Sequence, residues 1–155
     1  MAYKTIPIKC FVPVRDEAIA NAAITPGHLI ELMSTGKVKV HATAGGPVKG
    51  AFFAVEDELQ GNEIGTAYSS GDLVQYNHFR AGDRVYALLA NGNNVAIGDL
   101  LESAGDGTLQ KWTADNSAAP NQNNQIVGIA RSALDTSGSS GADPSGAWRI
   151  IVEIV

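Results

Sequence analysis

Four times along this sequence a glycine and then a polar residue stand directly before a short apolar run. The four are Pro26-Gly27-His28-Leu29-Ile30, Ser70-Gly71-Asp72-Leu73-Val74, Ala81-Gly82-Asp83-Arg84-Val85 and Ile97-Gly98-Asp99-Leu100-Leu101. Glycine supplies the backbone angle of a tight corner, and the polar side chain bonds neighbouring amides as a strand begins. A chain punctuated in this way leaves little room for helices. It predicts a compact β-barrel or sandwich with several similar corners, and the irregular spacing argues against a solenoid.

Between the corners the residues keep the period of strands. Val38 and Val40 alternate with Lys37, Lys39 and His41, a strand with one wet face that follows the preceding strand through Ser34-Thr35-Gly36. Ala51 to Val55, Asp72 to Phe79 and Asp83 to Ala90 read as further strands, with an acidic loop from Glu56 to Gly65. Asn91-Gly92-Asn93-Asn94 and Gly105-Asp106-Gly107 are turn signals. Gln125 to Leu134 is apolar enough for a strand, and the polar stretches Thr113 to Gln125 and Asp135 to Gly146 read as loops. In the last strand Trp148, Ile150, Val152 and Ile154 share one face, with Arg149 and Glu153 on the other. Asp16 to Ile24 stays open between a short helix capped by Asp16 and an extended segment.

The N-terminal stretch carries a sharper constraint. Ile6, Ile8, Cys10, Val12 and Val14 are apolar at alternate positions, which predicts an extended segment with one buried face. Pro7 and Pro13 both lack an N–H and fall on the same edge of such a strand. It can therefore pair on one side only, as an edge strand or as an arm lying along a partner. The expected division is an extended arm over 1–15 and a single β-barrel domain over 16–155.

Composition narrows the partners. Charged residues make up 17% of the 155, below the ~25% usual for soluble domains, as expected of a surface partly covered by neighbours. The net charge is −5 and the basic residues are scattered, which argues against nucleic acid and against an anionic membrane. No apolar run approaches the ~20 residues of a membrane helix, and Lys4 and Lys9 interrupt any signal-peptide pattern. The expected compartment is the cytoplasm in which the chain is made, unless it leaves as part of a particle.

Residues with chemistry to offer are few. His28, His41 and His78 have no second histidine or cysteine at ligand spacing, so no metal site is expected. His41 reads as solvent-exposed and His28 as a capping or interface residue. Glu56, Asp57, Glu58 and Glu63 could pair as acid and base, yet they stand in a polar loop that reads as solvated or as an interface. Cys10, the single cysteine, reads as a buried inert thiol. Trp112 and Trp148 read as core or interface packing. Phosphate-loop and nucleophile-elbow motifs are absent. No enzyme and no cofactor are expected.

The order of these features resembles the small trimeric decoration, or cement, proteins of tailed phages. The residues that carry it are Ile24-Thr25-Pro26-Gly27-His28-Leu29-Ile30-Glu31-Leu32, Gly36-Lys37-Val38 and Gly71-Asp72-Leu73-Val74. With them stand Gly82-Asp83-Arg84-Val85, Ile97-Gly98-Asp99-Leu100-Leu101, Gly105-Asp106-Gly107-Thr108-Leu109, Val127-Gly128-Ile129-Ala130 and Arg149-Ile150-Ile151-Val152. The resemblance implies an all-β, barrel or β-tulip domain that forms a homotrimer on the outer surface of the expanded head. There it would bridge major capsid protein subunits, without a cofactor. His28 departs from the Asp or Gln expected at its corner. The N-terminal arm would make the capsid contact, through Tyr3, Lys4, Ile6, Ile8 and Phe11. Two other functions stand beside it. One is a trimeric glycan-binding module of a tail fibre or tailspike, with Trp112, Tyr76 and Tyr86 as platform. The other is a hydrolase or lyase using the cluster from Glu56 to Glu63.

Overall fold

The computed structural model describes residues 3–114, 124–138 and 148–155. The two expected loops at Thr113 to Gln125 and Asp135 to Gly146 lie largely outside them. Within the described residues the fold is all-β, a single compact domain of antiparallel sheets with one short 3-10 turn at Glu58–Gln60.

The larger sheet has six strands. In spatial order they are β1 (Pro7–Lys9), β7 (Arg84–Leu88), β13 (Arg149–Ile154), β11 (Gly128–Ala130), β9 (Leu100–Ser103) and β10 (Leu109–Lys111). It curls until Leu89, just past β7, bridges Leu109 of β10, and the Ala90 N–H donates to the Leu109 carbonyl at 2.8 Å. A second sheet runs β2 (Val14–Ile19), β6 (Leu73–Phe79), β5 (Ala51–Ala54). Two small pairs complete the fold, the hairpin of β3 (Ile30–Leu32) with β4 (Val38–Val40), and β8 (Asn94–Val95) with β12 (Leu134–Asp135).

The second sheet lies between two cores, because strand side chains alternate faces. Phe53 and Phe79 join Val85, Leu101, Leu109, Ile150 and Val152 inside the curled sheet. Val74, Tyr76 and Ala54 point the other way, onto Ile24, Ile30 and Val38 of the outer hairpin.

The four glycine corners prove to be one structure repeated. Gly27, Gly71, Gly82 and Gly98 have φ of 95, 94, 92 and 93°, a region that residues with a Cβ enter at a cost. At three corners the following aspartate accepts the N–H three residues back: Ser69 to Asp72 at 2.7 Å, Arg80 to Asp83 at 2.9 Å, Ala96 to Asp99 at 2.9 Å. At the fourth, His28 does the same work, its Nδ1 accepting the Thr25 N–H at 3.1 Å. Each glycine N–H donates to another strand or its flank, at Ala54, Ala20, Ile154 and Ala130. Three of these bonds extend the pairing of neighbouring strands within one sheet, and the Gly27 bond to Ala54 ties the start of the outer hairpin to the second sheet.

Several expectations are refined or corrected. Asp16 to Ile24, open from sequence between a helix and an extended segment, begins extended: its first residues belong to β2, paired residue by residue with β6. Asp72 to Phe79 and Asp83 to Ala90 do hold the strands β6 and β7, and the corner Arg80-Ala81-Gly82 between them carries the chain from one sheet to the other. Alternation in the N-terminal stretch holds at Ile6, which is fully buried, and fails at Val12 and Val14, 56% and 39% exposed. The chain leaves the first sheet after Lys9 and enters the second at Val14, so one parity does not span the crossing. His41 is 2% exposed, because β4 ends at Val40 and the next residue turns inward. Arg149 does face away from Ile150, yet it is buried too; its guanidinium donates to the carbonyls of Pro26 and Ile64, both at 2.7 Å.

Candidate functional site

The N-terminal segment is fastened at both ends. Ile6 sits in the core, its carbonyl accepts the Tyr86 N–H at 2.8 Å, and its own N–H donates to Glu56 Oε2 at 3.0 Å. β1 then pairs with β7 on one side only, consistent with the missing N–H of Pro7, with an irregular register between Pro7 and Lys9; Pro13 lies in the crossing beyond it. The other end is β2.

Between these anchors the chain crosses over the surface as Cys10-Phe11-Val12-Pro13. Phe11 is 97% exposed, and Val12 beside it is open as well. A phenylalanine in water forgoes about 2 kcal/mol that burial would supply, so this crossing presents an apolar knuckle to whatever can cover it. Tyr3 stands partly exposed, its ring 5.5 Å from Tyr86 in an edge-to-face contact. Lys4 is exposed and Ile8 half-buried. Of the five expected contact residues, Tyr3, Lys4 and Phe11 are thus on the surface, and Ile6 is a core residue. Cys10 is half-buried; burial first, then Asp83, raises its pKa, which keeps the sulfur a protonated thiol.

Glu56 stands in a loop that reads from sequence as solvated or as an interface, and it is instead buried within the domain at 3% exposure, with Asp57 at 7%. Glu56 serves as the clasp for the N-terminal segment. Truncating it in Glu56→Ala strands a fully buried N–H, which costs about 1–3 kcal/mol; urea unfolding should show that loss. Asp57 caps the 3-10 turn, and Glu58 and Glu63 are exposed. Glu56 and Asp57 are thus engaged as acceptors for the Ile6 N–H, the 3-10 turn and the Gln75 amide, while the other two face solvent.

One constellation has the outline of a nucleophile relay. Ser103 Oγ lies 2.7 Å from His41 Nδ1, and Glu31 Oε2 lies 3.8 Å from His41 Nε2. Ser103 is fully buried and also accepts the Gly105 N–H at 3.2 Å. A substrate has no path to that hydroxyl. The contact instead ties the β3–β4 hairpin to the curled sheet.

The glycan platform is not assembled either. Tyr76 is 2% exposed, beneath the outer hairpin, and Tyr86 is half-buried under Tyr3. Trp112 is half-buried, with its indole N–H donating to the Asn124 carbonyl at 2.9 Å. Among the described residues no group of His, Cys, Asp and Glu is arranged to hold a metal ion.

The fold is similar to that of the N base of the head fibre gp8.5 of bacteriophage phi29. The likeness covers 93% of this chain and 95% of that one, with a TM-score of 0.56 and 16% sequence identity. No protein-family model matches the sequence, and no curated protein matches it.

Proposed function

We propose that this chain is a non-enzymatic structural protein of a phage virion. In this reading it stands on the outside of the head as a homotrimer and bridges major capsid protein subunits. The observation that carries the reading is a fold shared from end to end with the base of a phage head fibre, at nearly equal length.

The N-terminal segment over 1–15 is the contact element, with Phe11 at its centre and Tyr3 and Lys4 beside it. Mechanically the design suits attachment under load. A knuckle held at both ends, by the Ile6 clasp and by β2, loses little freedom when it docks, so little of its burial energy is spent on ordering. Three knuckles on one trimer turn modest contacts into tight retention.

The test uses expanded heads stripped of their outer proteins, from the virus that encodes the chain, and measures co-sedimentation. Saturable binding at a multiple of three copies is expected. Phe11→Ser should weaken each contact by about 2 kcal/mol, roughly 30-fold, and leave thermal unfolding unchanged because the ring touches little of its own chain. Folded protein that binds neither expanded nor unexpanded heads sinks the proposal.

A further inference from the structure

A cavity of about 330 Å3 opens over the β2–β6 pair, where Glu17, Asp57, Asp72 and Gln75 meet the 3-10 turn. Every charged group on its wall is a carboxylate, and no Lys, Arg or His among the described residues lines it. Arg15, on the same strand, lies 4.0 Å from Glu58 outside the lining, and its charge also reaches Tyr68 on the cavity wall.

Gln75 makes this more than an acidic cluster. It is 8% exposed, and its amide nitrogen donates to Asp57 Oδ1 at 3.3 Å. That bond sets the amide's orientation, since the reverse would press its oxygen against a carboxylate. The amide oxygen is then buried without a hydrogen-bond partner, a state that is costly to maintain. Tyr68 offers nothing to it, because its hydroxyl donates to the Val55 carbonyl at 2.7 Å. The carboxylates of Glu17, Asp57 and Asp72 on the cavity wall ask for a cationic donor.

The rim says what kind of molecule brings that donor. Leu59 is 85% exposed and Leu73 46%, and Ile19, directly opposite Leu73 across β2 and β6, is 40% exposed. Beside them the outer edge of β2 is unpaired. An anionic hole in an apolar rim next to an open strand edge suits a polypeptide better than a free small cation or a sugar. We propose that this cavity is a second interaction site, which seats the guanidinium or ammonium head of an Arg or Lys from a partner polypeptide. Apolar residues flanking that side chain then cover Leu59 and Leu73.

The test follows the Gln75 side-chain amide by 15N NMR in the full chain. The probes are agmatine, the peptide acetyl-Leu-Arg-Leu-amide, its citrulline counterpart and methyl glucoside. Saturable shifts are expected from agmatine and from the arginine peptide, with the peptide about ten-fold tighter. Citrulline in the peptide, or Glu17→Gln in the protein, should each weaken binding about ten-fold. Glu17 is exposed on an edge strand, so the remaining spectrum reports that the variant stays folded. Absence of saturable shifts, equal binding by Glu17→Gln, or a response to the glucoside alone overturns the site. Equal affinity for agmatine and the peptide overturns the polypeptide partner.

Discussion

Gly128→Ala should destabilise the domain by about 3 kcal/mol or more, a large share of the stability of a domain this size. The residue lies within β11, which pairs on one side with β13 and on the other with β9. A methyl group at that position would stand 2.6 Å from the Glu153 carbonyl oxygen and closer still to a Val152 methyl. Backbone of a central strand cannot step aside without breaking its ladder. Gly98→Ala makes the matched comparison: its corner has φ of 93° but open space around it. Only the conformational cost applies there, about 1–2 kcal/mol. Urea unfolding of the two variants beside the parent would separate lack of room from lack of conformational freedom. Equal losses at the two positions would refute the distinction.

Acid should loosen the domain through His28. Burial, the largest influence, lowers its pKa from 6.5 to about 4, with Asp106 opposing the fall and Arg149 adding to it. Geometry favours the same neutral form, because Nδ1 must stay unprotonated to accept the Thr25 N–H. Between those two values the unfolded chain takes up a proton that the folded chain refuses. Stability is thus complete above about pH 6.5, declines as pH falls through the window, and levels off below about 4. The loss across the window amounts to roughly 3 kcal/mol. His28→Asn keeps an acceptor for the Thr25 N–H without titrating, so it should remove this part of the pH dependence. Unfolding free energies of both proteins at about pH 7.5 and about pH 4.5 decide it; parallel losses would show that other groups carry the acid sensitivity.

The corners were the most legible feature of the sequence, and the reason is local. A glycine at positive φ and an aspartate accepting an amide three residues back need nothing beyond five consecutive residues. Strand positions were readable where one face stayed apolar throughout, as in Ile150, Val152 and Ile154, all buried. Parity failed where a strand ended unseen. His41 stands one residue beyond β4, and Val12 stands in the crossing between sheets, so neither obeys the alternation that precedes it.

Burial of charge was least legible. Glu56 looks like its acidic neighbours in sequence, and only the position of Ile6, fifty residues away, explains why it is inside. The cavity beside β2 was invisible for a similar reason. Glu17, Asp57 and Gln75 come from three separated stretches, and register between β2 and β6 brings Glu17 against Gln75. Phe11 was expected at the contact and stands exposed, though it had been placed on an unbroken strand. Its prominence comes from the crossing that interrupts that strand.

The place of β13 in the larger sheet has a consequence for biosynthesis. Its six residues lie between β7 and β11 and bond to both, although residues 84–88 leave the ribosome some sixty positions earlier. A growing chain therefore carries a vacant slot at the middle of its main sheet until residue 154 has emerged. Until then β7 and β11 each expose an unpaired apolar edge, the template on which strands of other nascent chains could settle. Translation stopped short of Arg149 yields no smaller version of the domain, only a chain without its central strand. The main sheet is thus complete only in chains synthesised through β13.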